Sequence, residues 1–544
     1  MKRLIAVTAA IGLGVTGLAT AGTANAGTTS TATTSAVPVT PSSISWATCD
    51  DPGLTDAGAV CGTLSVPLDY SRPGGRHITL ALSMVRHTTP DSKYQGVMLV
   101  NPGGPGGSGL SLSTLGQYVP NGAGDSYDWI GWDPRGVGAS TPSLHCDPNY
   151  FQGPRPDYTP STAALTTFWL AKSKAYAQAC GADGGALLDH VTTVDSAKDM
   201  ESIRKAMGQA KINYYGFSYG TYLGSVYATL YPHRLRRTVF DSTVNPNRVW
   251  YQANHDQDIA FERNMKIWFA WVAKYDSVYH LGTTEPKVEK LWYKTKAELY
   301  KHPAGGVVGG SEWTDIFLYA GYYQITWLDL GDAFAAWVNN HDVDRIVGEY
   351  EGAEGIGDDN GYAMYDATQC TDVQWPQSFA KWRKDNNRVA KIAPFETWAN
   401  AWYNAPCLYW PGQTHTPVKV DGSQVKSLLM IDETLDAATP YSGSLVVRKL
   451  FPNASLIALP GGTSHAFSLF GDQCEDGQIA AYLANGTLPV RKPGNRADTT
   501  CAPLPVPDPT EAAASASAMA KSGAAAKTAP ITRESLQRLI ARAR

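Results

Sequence analysis

The chain has 544 residues, a formal net charge of −4 and 43% hydrophobic side chains. That length exceeds one ordinary domain and calls for a second domain or a large insertion. The mild acidic balance argues against a nucleic-acid partner or a polybasic contact with membranes, and neither is expected.

The N-terminus reads as an export signal. Lys2 and Arg3 supply the positive start, Leu4 to Ala19 the apolar stretch, and Ala24-Asn-Ala26 a small-residue cleavage site, so residues 1–26 are expected to be a signal peptide. The apolar stretch is short, rich in Gly and Ala, and lacks a basic stop signal. A secreted, extracellular protein with no membrane attachment after cleavage is therefore expected. Residues 27–44 are a low-complexity Thr/Ser/Ala run that cannot bury a core, and read as a linker or short propeptide.

Export gives the eight cysteines their meaning. An even number in an oxidising compartment predicts four disulfides. Sequential pairing, Cys49 with Cys61, Cys146 with Cys180, Cys370 with Cys407 and Cys474 with Cys501, is the expectation, although spacing alone leaves other connectivities open. No pair has the C-x-x-C spacing of a zinc or redox site, and no metal is expected.

An entry segment from Trp46 to Tyr70 precedes the first clear strand, which the alternation of His77 to Arg86 predicts. A buried strand, Gln95 to Val100, runs directly into Asn101-Pro-Gly-Gly-Pro-Gly-Gly-Ser-Gly109. Glycines in that position mark a place where backbone approaches a ligand closely, and their N–H groups suit an oxyanion. The loop lacks the Gly-Lys-Ser/Thr of a phosphate loop. Asp128 to Asp133 predicts the next strand, and Asp195 to Met207 an amphipathic helix.

The helix delivers the chain to Lys211-Ile-Asn-Tyr-Tyr-Gly-Phe-Ser-Tyr-Gly-Thr-Tyr-Leu-Gly224, which reads as strand, sharp turn and helix. This is a G-x-S-x-G elbow. The turn strains its central serine, and side chains at Gly216 or Gly220 would collide with it. Ser218 Oγ then stands clear at a helix start, with the Tyr219 N–H aimed where an oxyanion would form. Arg237 to Asp241 predicts another strand. The alternation implies an α/β class with a mostly parallel sheet and helices on both faces.

From 249 to 405 the period becomes helical and aromatics crowd in, Trp268, Trp292 and Trp313 among them, predicting a helical cap over the carboxyl edge of the sheet. Strands resume at Val425 to Ile431 and Ala454 to Leu459. The expected organisation is a core in two parts, 45–248 and 406–505, split by the cap at 249–405, with a low-complexity tail at 506–544.

A serine nucleophile needs a base, and the base an orienting acid, arriving later in the chain in loops that follow late strands. His465 alone among the eleven histidines directly follows a late core strand. Asp432 and Asp436 both follow the preceding strand. Asp436, deeper in the loop before Thr439-Pro440, is the chosen acid and Asp432 the alternative.

The set Asn101-Pro-Gly-Gly-Pro-Gly-Gly107, Asp133-Pro-Arg-Gly-Val-Gly138, Tyr215-Gly-Phe-Ser-Tyr-Gly-Thr221, Leu435-Asp-Ala-Ala-Thr-Pro440 and the His465 loop resembles the secreted bacterial tripeptidyl aminopeptidases. These form part of the prolyl-aminopeptidase-like branch of the α/β-hydrolase fold. The resemblance spans roughly residues 45–505. It implies Ser218, Asp436 and His465 as a catalytic triad, Gly104 and Tyr219 as oxyanion-hole donors, and no cofactor. It further implies a monomeric serine exopeptidase that releases tripeptides from free N-termini of peptides and proteins through an acyl-enzyme. A prolyl or single-residue aminopeptidase, a secreted esterase of the same fold and an inactive binding protein are the alternatives. The chain departs from glycines frequent in that family at Ser242, at Glu433 and beside His465, which removes no catalytic group.

An enzyme that releases short N-terminal peptides must measure from a free ammonium, and one or more buried carboxylates in a cap can do this. Asp256, Asp258, Glu262, Asp366, Asp372 and Glu396 are candidates, and the sequence singles out none.

Overall fold

The computed structural model describes residues 43–353 and 356–511. The signal segment 1–26, nearly all of the 27–44 linker and most of the tail lie outside the described residues.

Among the described residues ten strands form one sheet: β1 (Ser45–Thr48), β2 (Val60–Pro67), β3 (His77–Val85), β4 (Val97–Asn101), β5 (Asp128–Trp132), β6 (Ile212–Phe217), β7 (Leu235–Asp241), β8 (Leu428–Glu433), β9 (Ala454–Leu459) and β10 (Thr499–Thr500). Their spatial order is β1-β2-β3-β5-β4-β6-β7-β8-β9-β10. From β5 to β10 all pairings are parallel, while β1, β2 and β3 join as an antiparallel edge.

The central strands are buried along nearly their whole length because both faces are covered. Strand side chains alternate in direction, so each strand feeds two cores. Leu99, Tyr214, Phe240, Met430 and Leu456 face one layer, where Met200, Ile203, Leu223 and Val226 pack from helices Thr193–Ala206 and Tyr219–Leu230. Val100, Tyr215, Val239, Leu429 and Ile457 face the other, against Leu112 and Leu115 and against Ile479 and Leu483 of helix Gln473–Asn485.

Between β7 and β8 a run of helices extends from Tyr251–Lys274 to Thr397–Tyr403. These build an aromatic core of their own around Trp268, Trp292, Trp313, Phe317 and Phe334. Offset and edge-on ring contacts hold it, for example Trp313 on Phe317 at 4.5 Å.

Several elements escaped the sequence reading, among them helices Ser442–Leu450 and Gln473–Asn485 and strand β10. The entry segment folds as the β1–β2 hairpin, and helix Ala163–Gly184 fills part of the stretch between β5 and β6. That region packs on the inserted helices. Trp169 stacks on Trp402 at 5.9 Å, Arg155 pairs with Glu312 and Asp315, and the Cys146 and Asp147 N–H groups donate to Asp359.

Disulfides join Cys49 to Cys61, Cys146 to Cys180, Cys370 to Cys407 and Cys474 to Cys501, the sequential pairing expected. Among the described residues no helix is long and apolar enough to cross a membrane. The start of the tail also touches the inserted helices, where Trp271 Nε1 donates to the Pro507 carbonyl at 2.9 Å.

Candidate active site

Ser218 stands between the end of β6 and the helix Tyr219–Leu230, with φ 53° and ψ −124°. This is strained backbone for a residue with a side chain. Three glycines make it feasible. A Cβ on Gly216 would meet the Gly220 carbonyl oxygen at 2.6 Å, one on Gly220 the Asn101 carbonyl oxygen at 2.8 Å, and one on Gly103 the Phe217 oxygen at 2.6 Å. The Ser218 N–H donates to the Asp241 carbonyl at 3.0 Å, tying the turn to the end of β7.

The glycine loop after β4 lies against this turn. Asn101 Oδ1 accepts the Gly103 N–H at 3.1 Å. Asp133, just past β5, receives the Ser108 hydroxyl at 2.6 Å, the Gly109 N–H at 3.1 Å and the Ala139 N–H at 2.8 Å. Both glycine-loop ends are thus pinned by side chains at strand termini.

Asp436 and His465 arrive from the loops after β8 and β9. His465 Nδ1 is 2.8 Å from Asp436 Oδ2. The Asp436 carboxylate also accepts the Ala438 and Thr439 N–H groups at 2.8 and 3.1 Å and the Thr439 hydroxyl at 2.8 Å. A carboxylate so fully engaged is fixed in orientation and favours a single imidazole tautomer. Asp432 is turned elsewhere. It receives the Thr243 N–H at 2.7 Å, and burial holds its carboxyl well above the ordinary aspartate range.

The structure brings Ser218, Tyr219, Gly104 and His465 to the wall of one cavity of about 90 Å³. As first residue of its helix, Tyr219 has an N–H without an intrahelical acceptor, directed by the helix start. Its phenol is buried and bonds Thr193 Oγ1 at 2.8 Å. Residues of the inserted helices line the same cavity. Tyr322 and Tyr323 lie over His465 at ring-centroid distances of 5.9 and 6.4 Å, and Glu396, Gln369 and Asn400 sit farther along.

Of the six candidate cap carboxylates, Glu396 and Asp256 line this cavity. Asp256 is engaged by Arg248, whose Nη2 is 2.7 Å away. Glu396 is 4% exposed and begins the helix Thr397–Tyr403. The other four serve structural bonds or lie in the interior. Asp258 accepts from Asn400 Nδ2 at 2.8 Å, and Glu262 accepts the Phe395 N–H at 3.1 Å. Asp372 accepts the Thr193 N–H at 2.7 Å and is pushed up to about 6 by burial. Asp366 is fully buried, which raises its carboxyl well above the usual value.

The sequence reading met Ser242 and Glu433 only as departures from glycine and assigned no bracing role to any residue. Glu433 accepts the Ser464 N–H, Ser242 Oγ the Ala466 N–H at 2.7 Å, and Asp241 the Ser468 N–H at 2.8 Å. Arg263 and Asn264 reach the acid loop from helix Tyr251–Lys274. The only sequence signal was positional: Asp241, Ser242 and Glu433 sit at or next to the carboxyl ends of predicted strands.

Residues 96–299 match a family model for the alpha/beta hydrolase fold, and residues 393–501 match one for TAP-like proteins. The chain is 39% identical over 473 residues to a tripeptidyl aminopeptidase of Streptomyces lividans, covering 85% of this chain and 87% of that one. It is 30% identical to a serine protease of Mycobacterium tuberculosis, covering 84% and 91% of the two chains. It is also 29% identical to a carboxylesterase B of the same species, covering 83% and 90%.

Proposed function

The chain belongs to the tripeptidyl aminopeptidase family of the α/β-hydrolase fold and is a serine peptidase, and we propose that it is an exported exopeptidase releasing tripeptides from free N-termini. In this reading Ser218 is the nucleophile, His465 the base and Asp436 its orienting acid. The Gly104 and Tyr219 N–H groups hold the oxyanion.

The chemistry proceeds in two acyl transfers. His465 takes the Ser218 proton as Oγ attacks the scissile carbonyl. Asp436, bonded to Nδ1 at 2.8 Å, keeps the second ring nitrogen available and stabilises the imidazolium. The oxyanion donors contribute about 3–4 kcal/mol each in serine hydrolases. His465 then protonates the leaving amine, and water, activated by the same imidazole, releases the acyl product.

The observation that carries the exopeptidase reading is one cavity lined by Ser218, His465 and Glu396 together. A buried carboxylate facing that cavity is a strong site for an ammonium. It sets the length of peptide between the N-terminus and the bond at Ser218, and it leaves no place for a blocked or extended terminus. Four disulfides support export to an oxidising compartment.

Glu396→Gln tests the reading. With a free-amine tripeptidyl anilide, KM is expected to rise about ten- to hundred-fold, the loss of one charge-assisted contact. Reaction with a small aryl ester, which has no ammonium to place, is expected to stay within about threefold of wild type. An unchanged KM for the peptide would remove Glu396 from the ammonium site.

A further inference from the structure

Asp436 and His465 come from different loops, so their bond requires the two loops to be held in register. The sheet holds one side, through the Glu433, Ser242 and Asp241 contacts to the histidine loop. The other side is held by the inserted helices.

Asn264 lies on helix Tyr251–Lys274 and is 1% exposed. Its Nδ2 is 2.9 Å from the Leu435 carbonyl, beside Asp436, and 3.4 Å from the Thr463 carbonyl, two residues before His465. The same nitrogen is 3.0 Å from the Gly321 carbonyl, at the end of helix Gly310–Tyr322. Three carbonyls converging on one nitrogen require the amide to present its NH2 there, since the opposite orientation would face oxygen to oxygen. Arg263 secures that orientation by donating from Nε to Asn264 Oδ1 at 3.0 Å. Its Nη2 reaches the Leu435 and Asp436 carbonyls as well.

Two further observations place the acid and base loops within the inserted helices. Ala437 and Ala438, directly after Asp436, belong to the same apolar cluster as Trp268 and Trp313. Tyr322 accepts the His465 N–H at 2.9 Å, and the Gln324 N–H donates to Ser464 Oγ at 3.2 Å.

We propose that Asn264, oriented by Arg263, is a positioning residue that joins the acid loop, the histidine loop and the cap into one unit, so that the cap sets the Asp436–His465 pair. The inference rests on the triad proposed above. The cap is then part of the catalytic scaffold as well as the wall that selects substrate.

Asn264→Leu keeps a similar volume and removes the donors, and Arg263→Met, at a half-buried position, releases the amide and the acid loop. Each folded variant is compared with wild type for KM and for kcat per active site, with sites counted by fluorophosphonate labelling of Ser218. The expected result is a fall in kcat per labelled site of about ten- to hundred-fold, the size of effect that slight misplacement of a reacting group produces. KM is expected to stay within about threefold. A purely structural role would lower the melting temperature and the number of labelled sites while leaving kcat per site intact, and that result would overturn the inference. If Asn264→Leu does not fold, Arg263→Met decides by the same readout. Wild type that is not labelled at Ser218 would instead remove the triad, and the inference with it.

Discussion

Glu433 ends β8 with its carboxyl buried beneath the loop that carries His465, where it accepts the Ser464 N–H. Burial pushes it from the ordinary glutamate value of 4.5 up to about 8, with the Asp436 and Asp241 charges adding to the shift. The folded protein therefore binds this proton more tightly than the unfolded chain. Its contribution to stability is complete below pH 4.5 and is lost as pH rises toward about 8. Glu433→Gln cannot titrate, so wild type is expected to lose melting temperature relative to that variant between about pH 5 and about pH 8. A gap independent of pH would contradict the assignment. At this scale the sequence pointed to the residues proposed as the triad, and the structure brings two of them, Asp436 and His465, within 2.8 Å. Ser218, Asp436 and His465 could be picked out as candidates because the proposed nucleophile, acid and base each follow a strand. Asn264 could not, because one polar residue on a long helix reads as surface until the fold brings three carbonyls to it. Nor could composition separate Glu396 from Asp258 or Asp366, since only tertiary packing decides which carboxylate meets the cavity.

The elbow is the element on which the site depends. Its geometry needs Gly216 and Gly220 at fixed spacing around a strained serine, and that need is written locally enough to be read from sequence. Gly216→Ala would press a methyl group against the Gly220 carbonyl, 2.6 Å from the new Cβ. The expected outcome is a loss of about 1–3 kcal/mol in urea unfolding, the usual cost of overpacking, together with a much slower labelling of Ser218 by fluorophosphonate. Unchanged labelling would show that the turn tolerates a side chain there. The parallel strands were legible for a related reason: covered on both faces, they carry short apolar runs such as Val97 to Val100 and Leu428 to Ile431. Helix Ala163–Gly184 was harder. Its buried face mixes Thr166, Ser173 and Ala177 with Trp169, Tyr176 and Cys180, so the helical period is present but diluted by small and polar residues. The β1–β2 hairpin was missed because β1 buries none of its residues fully and offers no alternation to read.

Across the whole molecule, a hydrolase sheet presents Ser218 and the loops of Asp436 and His465, and a second aromatic core packs against those loops. The order of motifs along the chain was enough to anticipate this arrangement. The contacts that make the two parts act together join residues far apart in sequence, such as Arg155 with Glu312, Trp169 with Trp402 and Asn264 with Leu435. Such pairs leave no local signature. The central claim is that the cap turns a general acyl-transfer site into one that measures from a free N-terminus. It is tested most directly by mass spectrometry of a synthetic peptide digested in two forms, one with a free N-terminus and one acetylated. Release of an N-terminal tripeptide from the free form alone is the predicted result. Equal cleavage of both forms, or cleavage at internal bonds, would contradict it.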